Sequence, residues 1–252
     1  MYKFDEKEHI HLLDDKPLIG VTTALSIIAK PALIQWSANM AVDYISNNFP
    51  SFQEMVKNPL ALTDLLKSAK VAHRLKKEKA GDWGSVVHKK IEAWIKTGKV
   101  YSIAPILKVL EKKEGKVIVL NDDEKKVVSL VFTKFMNWVK ENKVVFLESE
   151  KHVWSEKLWI GGILDLVFTM DGKKYIGDIK TANAIYNEAF FQMGAYNLCL
   201  EEMGEHKEVE GYVVINLKKD GNIDFKKADN MQINREAFLS ALSLYKITQS
   251  LK

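Results

Sequence analysis

At 252 residues, with 47% hydrophobic and 28% charged residues, the chain has the composition of an ordinary folded protein and the length for a substantial core. Its one cysteine, Cys199, excludes an intrachain disulfide and an all-cysteine zinc or iron–sulfur site. A formal net charge of +4 permits a nucleic-acid partner without requiring one. No apolar run approaches the ~18 residues of a membrane span, and the first residues carry no signal-peptide pattern, so a cytoplasmic protein with no membrane contact is expected. Cations are nearly all lysine, with arginine only at Arg74 and Arg235, and lysine meets phosphate as a point charge rather than as a planar fork.

Residues 2–13 fit a short hairpin or an edge strand. Pro17 to Gly20 reads as a turn, after which Thr22 or Thr23 can cap a short helix running to Lys30. Pro31 suits the first position of a second helix, with Ile34, Ala38, Ala41, Val42 and Ile45 at helical spacing. Phe49-Pro50-Ser51 breaks it. A helical pattern resumes from Phe52 to about Lys79, interrupted at Asn58-Pro59, and ends in the lysine-rich run that starts at Arg74. Such a run is first a solvated helix face and second a surface that follows a phosphate backbone.

Asp82 is placed to cap a further helix over Trp83 to about Lys96, whose apolar stripe is Trp83, Val87, Ile91 and Trp94 or Ile95. Gly84, His88 and Glu92 lie one turn apart on an adjacent face, and Gly84 leaves room for something to approach the helix. A short helix over Ile103–Lys112, an extended segment at 116–120 and a strong amphipathic helix capped by Asn121 come next. The last of these turns Val127, Val128, Val131, Phe135, Trp138 and Val139 inward. The chain divides into a helical extension over residues 1–80 and a core over 81–252, packed as one unit.

Val144 to Trp154 reads as a strand. With a turn at Glu156-Lys157, Trp154 would face Trp159 and Glu148 would face Asp165; Glu150, two residues on and on the same face, is the alternative. Gly161 to Lys180 then forms a hairpin closed on Asp171-Gly172, a pair favoured in two-residue turns. That closure sets Phe168 opposite Tyr175 and Asp165 opposite Asp178. Alternation puts Leu164, Leu166, Phe168, Tyr175 and Ile179 on one face and Ile163, Asp165, Val167, Ile176, Asp178 and Lys180 on the other. Two facing carboxylates stand roughly 4.5–5.5 Å apart at Cβ, an arrangement that like charge destabilises. A divalent cation would hold them, with the Lys180 ammonium beside it; the plainer alternative is an Asp178–Lys180 ion pair at a sheet end. Beyond the hairpin, Asn183 can cap a helix to about Met203, from which Gln192 and Tyr196 project together. A strand over Gly211–Leu217, a turn at Asp220-Gly221-Asn222 and a final helix over Asn234 to about Gln249 complete the chain.

Asp165, Asp178-Ile179-Lys180 with Thr181, Gly84-x-x-x-His88 and Gln192-x-x-x-Tyr196 occur together and in this order. In these motifs the sequence resembles the PD-(D/E)XK nucleases, in the RecB-type exonuclease branch, and is similar to mitochondrial genome maintenance exonucleases and phage exonucleases. It departs from members of that branch that hold an iron–sulfur cluster through cysteines. The resemblance implies an α/β fold with a restriction-endonuclease-like mixed sheet flanked by helices, preceded here by the helical extension. It implies a metal-dependent DNA exonuclease acting on single-stranded or end-containing DNA. Asp165, Asp178, Lys180 and His88 would be catalytic. One or two Mg²⁺ or Mn²⁺ ions would be held by His88, Asp165, Asp178 and the Ile179 carbonyl, with Glu148 as a further ligand. Gln192, Tyr196 and Thr181 would contact the nucleic acid. DNA is the expected partner, a helicase or recombination protein a further one, and a monomer the expected state. The rival readings are a structure-specific endonuclease of the same fold and a catalytically silent DNA-binding or helicase-partner module.

Overall fold

The computed structural model describes residues 1–48, 57–115, 117–228 and 230–251. It is an α/β protein whose mixed sheet is flanked by helices, the architecture that the resemblance in its motifs implies. The chain divides into two compact units, one of Ala29–Trp83 and the other of Met1–Ile28 with Gly84–Lys252. Among the described residues no helix is long and apolar enough to cross a membrane.

The smaller unit is helical. It holds α2 (Pro31–Asn47), which starts on proline as expected, and the first part of α3 (Pro59–Thr97). Within it the Trp36 and His73 rings meet edge-on, centroids 6.3 Å apart. The break expected at 49–51 lies outside the described residues. Asp82 does not start a helix, because α3 runs unbroken through Ala80-Gly81-Asp82. A glycine in a helix costs only about 1 kcal/mol, and the good helix formers on both sides outweigh it.

In the larger unit, β1 (Tyr2–Asp5), β2 (Ile10–Leu13) and β3 (Lys16–Pro17) form a small antiparallel sheet, and β4 (Ile19–Gly20) leads into α1 (Val21–Leu25). Thr22 and Thr23 lie inside α1 rather than capping it, and Gly20 takes the N-cap position. Helix α4 (Ile103–Glu114) ends on Gly115, which adopts φ 65°. Residues 117–120 are irregular rather than a strand. Helix α5 (Asp122–Glu141) begins with a reciprocal cap in which Asn121 accepts from the Glu124 N–H and Glu124 accepts from the Asn121 N–H. It buries Val128, Val131, Phe132 and Phe135.

The main sheet contains β4, β5 (Val145–Ser155), β6 (Ile160–Met170), β7 (Lys173–Lys180), β8 (Gly211–Leu217) and β9 (Ile223–Ala228). The β6–β7 hairpin closes on Asp171-Gly172, both at positive φ, and pairs Phe168 with Tyr175. Strands β7 and β8 run parallel, joined by the crossover helix α6 (Asn187–Glu202). That helix starts after Tyr186, and Asn183 lies ahead of it in an irregular stretch. The last helix, α7 (Met231–Ser250), is capped by the Asn230 side chain, which accepts from the Ile233 N–H. Gly194 lets α6 and α7 touch, since a Cβ there would lie 2.9 Å from the Asn234 backbone.

The β5–β6 register differs from expectation by two residues. Trp154 pairs with Gly161, not Trp159, and Glu148 pairs with Val167, not Asp165. The cause is a four-residue turn over 156–159 held from outside. The Glu202 carboxylate accepts from the Glu156 and Lys157 N–H groups at 3.0 and 3.1 Å and from the Ser155 hydroxyl at 2.5 Å. Ser155 Oγ in turn accepts from the Leu158 N–H, and Trp159 closes the turn at φ 58°. Trp154 stacks instead on Tyr2, centroids 4.2 Å apart.

Candidate functional site

Asp165 stands where β6 loses its pairing on both edges. Along β5, Ser149 pairs with Leu166 and Lys151 with Leu164, while Glu150 and Asp165 between them are skipped. Glu150 sits at φ 52°, a region that residues other than glycine rarely enter. Along the other edge, β6 pairs with β4 at Ile160 and Gly161 and with β7 only from Leu166 onward. Residues 162–165 therefore have no ladder partner there. The Asp165 side chain takes up the slack: Oδ2 accepts from the Ile179 N–H at 2.8 Å, with Asp165 one residue past Leu166 and Ile179 two past Gly177, the last paired residues. The same irregularity breaks the expected alternation. Leu164 belongs with Val167 and Ile176 in the core cluster that contains Phe190 and Met193 of α6, rather than sharing a face with Leu166 and Phe168.

Helix α3 brings His88 to this gap. Its Nδ1 lies 3.7 Å from Asp165 Oδ2 and 3.9 Å from Glu150 Oε1, and one ligand atom from each of the three side chains lies within 4.8 Å of the others. Gly84 one turn earlier explains the approach. A Cβ there would sit 2.8 Å from Thr181 Oγ1, so the glycine lets the end of β7 lie against the helix. Burial works to discharge the imidazole, but Asp165 and Glu150 outweigh it and hold His88 above its ordinary value. Asp165 is raised, because burial exceeds what His88 and Lys180 return.

Asp178 is 1% exposed. Its Oδ1 accepts from Lys180 Nζ at 2.8 Å, and its Oδ2 is buried with no hydrogen-bond partner among the described residues. Burial pushes this carboxyl up to about 6; Lys180 pulls it down and the Asp165 charge adds to the rise. Burial alone would lower Lys180, yet Asp178 and Asp165 raise it and keep it an ammonium. Behind Lys180, Gln192 Oε1 accepts from Nζ at 3.4 Å, and Gln192 Nε2 donates to Tyr196 Oη at 2.6 Å. The Tyr196 ring is in the core, its phenol pushed well up by burial. Gly162 makes room for it, since a Cβ there would lie 2.5 Å from Tyr196 Cε1.

No protein-family model matches this sequence. No curated protein matches it either. Among solved structures, SSO0001 aligns over 56% of this chain and 70% of its own at 15% identity, with a TM-score of 0.28. LHK-Exo in complex with dAMP aligns over 70% of this chain and 100% of its own at 14% identity, with a TM-score of 0.30. Likenesses of this size leave the chemistry to be argued from the chain's own residues.

Those residues fit a divalent cation. An imidazole nitrogen and two carboxylates converge at His88, Glu150 and Asp165, and the nearby Asp178 Oδ2 is a buried carboxylate oxygen without a donor. Glu148, expected among the ligands, is not in this group. The two-residue register shift carries it to a second cluster, where Oε1 pairs with Lys151 at 3.0 Å and His206 at 3.0 Å while Lys151 also meets Glu205 at 2.7 Å. Burial there raises Glu148, but His206 and Lys151 together hold it below the usual carboxylate range. Ile179 contributes its N–H to Asp165, and Thr181 lies beside Gly84. Sequence reasoning missed Gly162 as the seat of Tyr196 and Glu202 as the turn's anchor. The pair Gly161-Gly162 next to a poor tight-turn pair, Glu156-Lys157, was the available signal.

Proposed function

We propose that this protein is a nuclease of the PD-(D/E)XK type that hydrolyses DNA phosphodiester bonds with one or two Mg²⁺ or Mn²⁺ ions, acting from strand ends. The observation that carries the reading is the convergence of His88, Glu150 and Asp165, from three separate elements, beside a buried Asp178 that is only half satisfied. His88, Glu150, Asp165 and Asp178 are the residues that would hold the metal, with the Ile179 carbonyl beside them. A divalent ion bound there supplies Lewis-acid polarisation of a phosphate oxygen and a more acidic water.

The chain's own groups account for the remaining work. In hydrolysis a water oxygen bonds to phosphorus while the bond from phosphorus to the leaving sugar oxygen breaks. Lys180, kept charged by Asp178 and Asp165, is suited to orient that water and to offset charge gathering on the phosphate oxygens. Gln192 reaches the ammonium and is itself bonded to Tyr196, which supports a positioning role for the pair beside the contact with nucleic acid expected of them. The test is digestion of end-labelled linear single strands, linear duplex and a closed circle, each with Mg²⁺, Mn²⁺ and EDTA. Cleavage of linear substrates only, and only with metal, supports the proposal. Cleavage of the circle converts it to an endonuclease. Cleavage in EDTA, or of nothing at all, overturns it.

A further inference from the structure

A cavity of about 540 Å³ opens beside Glu150, so the candidate ion site and this space share a wall. That volume lies within the range of small-ligand sites and is far too small for a duplex. Helix α3 lines it on the turns that follow His88. Lys89, Glu92 and Lys96 fall on one helix face, and Glu92 accepts from Lys89 Nζ and Lys96 Nζ, each at 2.7 Å. The Glu92 side chain is 15% exposed and ties Lys89, 21% exposed, and Lys96, 50% exposed, to the rim of the cavity. Burial raises this carboxyl, and the two lysines together draw it below its ordinary range.

Lys112 of α4 adds a third cation to the lining. Glu6 and Glu92 stand against the three lysines, which leaves this wall one positive charge in excess, balanced across the cavity by Glu150 on the ion-site side. The other surfaces suit a base or sugar. Val109 and Ile163 are apolar, and the His152 ring is packed against Phe4 with centroids 4.6 Å apart. Ordered cations on one side and a flat, packed ring on the other are the elements of a single-strand groove.

We propose that this cavity is a subsite for one DNA strand leading from the scissile bond, with Lys89, Lys96 and Lys112 contacting its phosphates and His152 facing a base. The subsite rests on the nuclease reading for its role but is tested apart from it. The assay is fluorescence anisotropy of a labelled oligothymidylate in EDTA, over a salt series, for the wild-type protein and two triple variants. Lys89→Gln/Lys96→Gln/Lys112→Gln removes the cavity cations; Lys125→Gln/Lys126→Gln/Lys140→Gln removes the same charge from α5. Melting curves establish that both variants fold.

The expected result is binding weakened by about tenfold or more in the cavity variant only, with its log K against log salt slope shallower by about 2, as three lost phosphate contacts at ~0.7 each require. Equal weakening in both variants, or no change in the cavity variant, overturns the subsite, as does a wild-type protein that binds no single strand. Metal-dependent cleavage by the wild type is scored separately. A protein that binds through these lysines yet cuts nothing keeps the subsite and loses the nuclease reading.

Discussion

Replacing Asp178 with asparagine is expected to stabilise the metal-free protein while abolishing cleavage. Asp178 is almost wholly buried, and its carboxyl rises from 3.8 to about 6, by burial first, against the pull of Lys180 and with the Asp165 charge adding to it. In the unfolded chain the group loses its proton near the ordinary value; in the fold it keeps the proton until about pH 6. Between those values the folded state binds more protons than the unfolded one, so this group's contribution to stability falls as pH rises through the window. At about 1.4 kcal/mol for each pH unit between the two values, the loss reaches about 3 kcal/mol above pH 6. Asparagine keeps the neutral form at every pH. Its amide must find partners where Oδ2 now has none, at a cost of about 1 kcal/mol. The net gain near neutrality is about 2 kcal/mol, or roughly 4–8 °C in Tm for a protein of this size.

The assay is urea unfolding in EDTA of the wild type and Asp178→Asn across acid to neutral pH, scored as the difference between the two. Taking the difference cancels the many carboxylates that titrate in both. It is expected to be small in acid, to open through the window between the ordinary value and about 6, and to level off above it. A difference that does not change with pH, or an asparagine variant less stable than the wild type near neutrality, would refute the reasoning. Adding Mg²⁺ or Mn²⁺ is expected to close the gap from the wild-type side, since a ligand that binds only the folded state adds to its stability.

Glu150→Gln is expected to reduce metal-dependent cleavage about 100-fold, and Glu148→Gln to leave it at the wild-type level; the reverse order would take Glu150 out of the site and put Glu148 in its place. Asp165→Asn keeps an acceptor for the Ile179 N–H, so it should fold normally and yet lose cleavage and the rise in Tm on adding Mn²⁺; retention of both would remove Asp165 from the site. Lys180→Ala is expected to cost about 100- to 1,000-fold in cleavage rate at saturating substrate, and a change confined to KM would reassign it to binding. Gly162→Ala drives a Cβ against the buried Tyr196 ring and should destabilise by about 2 kcal/mol, read as a drop in Tm. An unchanged Tm would show that the ring does not rest on that glycine.

The legible parts of the fold were those specified locally. The Asp171-Gly172 turn needs two residues at positive φ, and the pair that tolerates it best is in the sequence. Asn121 with Glu124, and Pro31 at the first helical position, likewise name their own roles. What failed was specified from a distance. The β5–β6 turn is held by Glu202, some 45 residues away in sequence, and no local pattern announces it. Helix α3 ran past Asp82 because a possible cap decides nothing when both flanks prefer to continue. The positions His88, Asp165, Asp178 and Lys180 are named by the resemblance of their motifs to a nuclease family, and a motif says nothing of the irregular backbone around Asp165.

That irregular backbone is the condition for the site. In a regular ladder the Ile179 N–H would bond to a main-chain carbonyl, and the Asp165 side chain would stand off the sheet with its neighbours. Here β4 occupies one end of this β6 edge and β7 the other, and the four residues between them have no strand partner on that edge, although Gly162, Ile163 and Leu164 stay paired with β5 on the other. Asp165 Oδ2 replaces the missing acceptor, which pins the carboxylate in the plane of the opening. Glu150 is turned toward the same opening by a backbone conformation that glutamate does not choose unaided. Each departure from sheet geometry has a cost, and each moves an acid toward His88. A sheet that paired fully through Gly162–Asp165 would be more regular and would have nowhere to gather the three side chains.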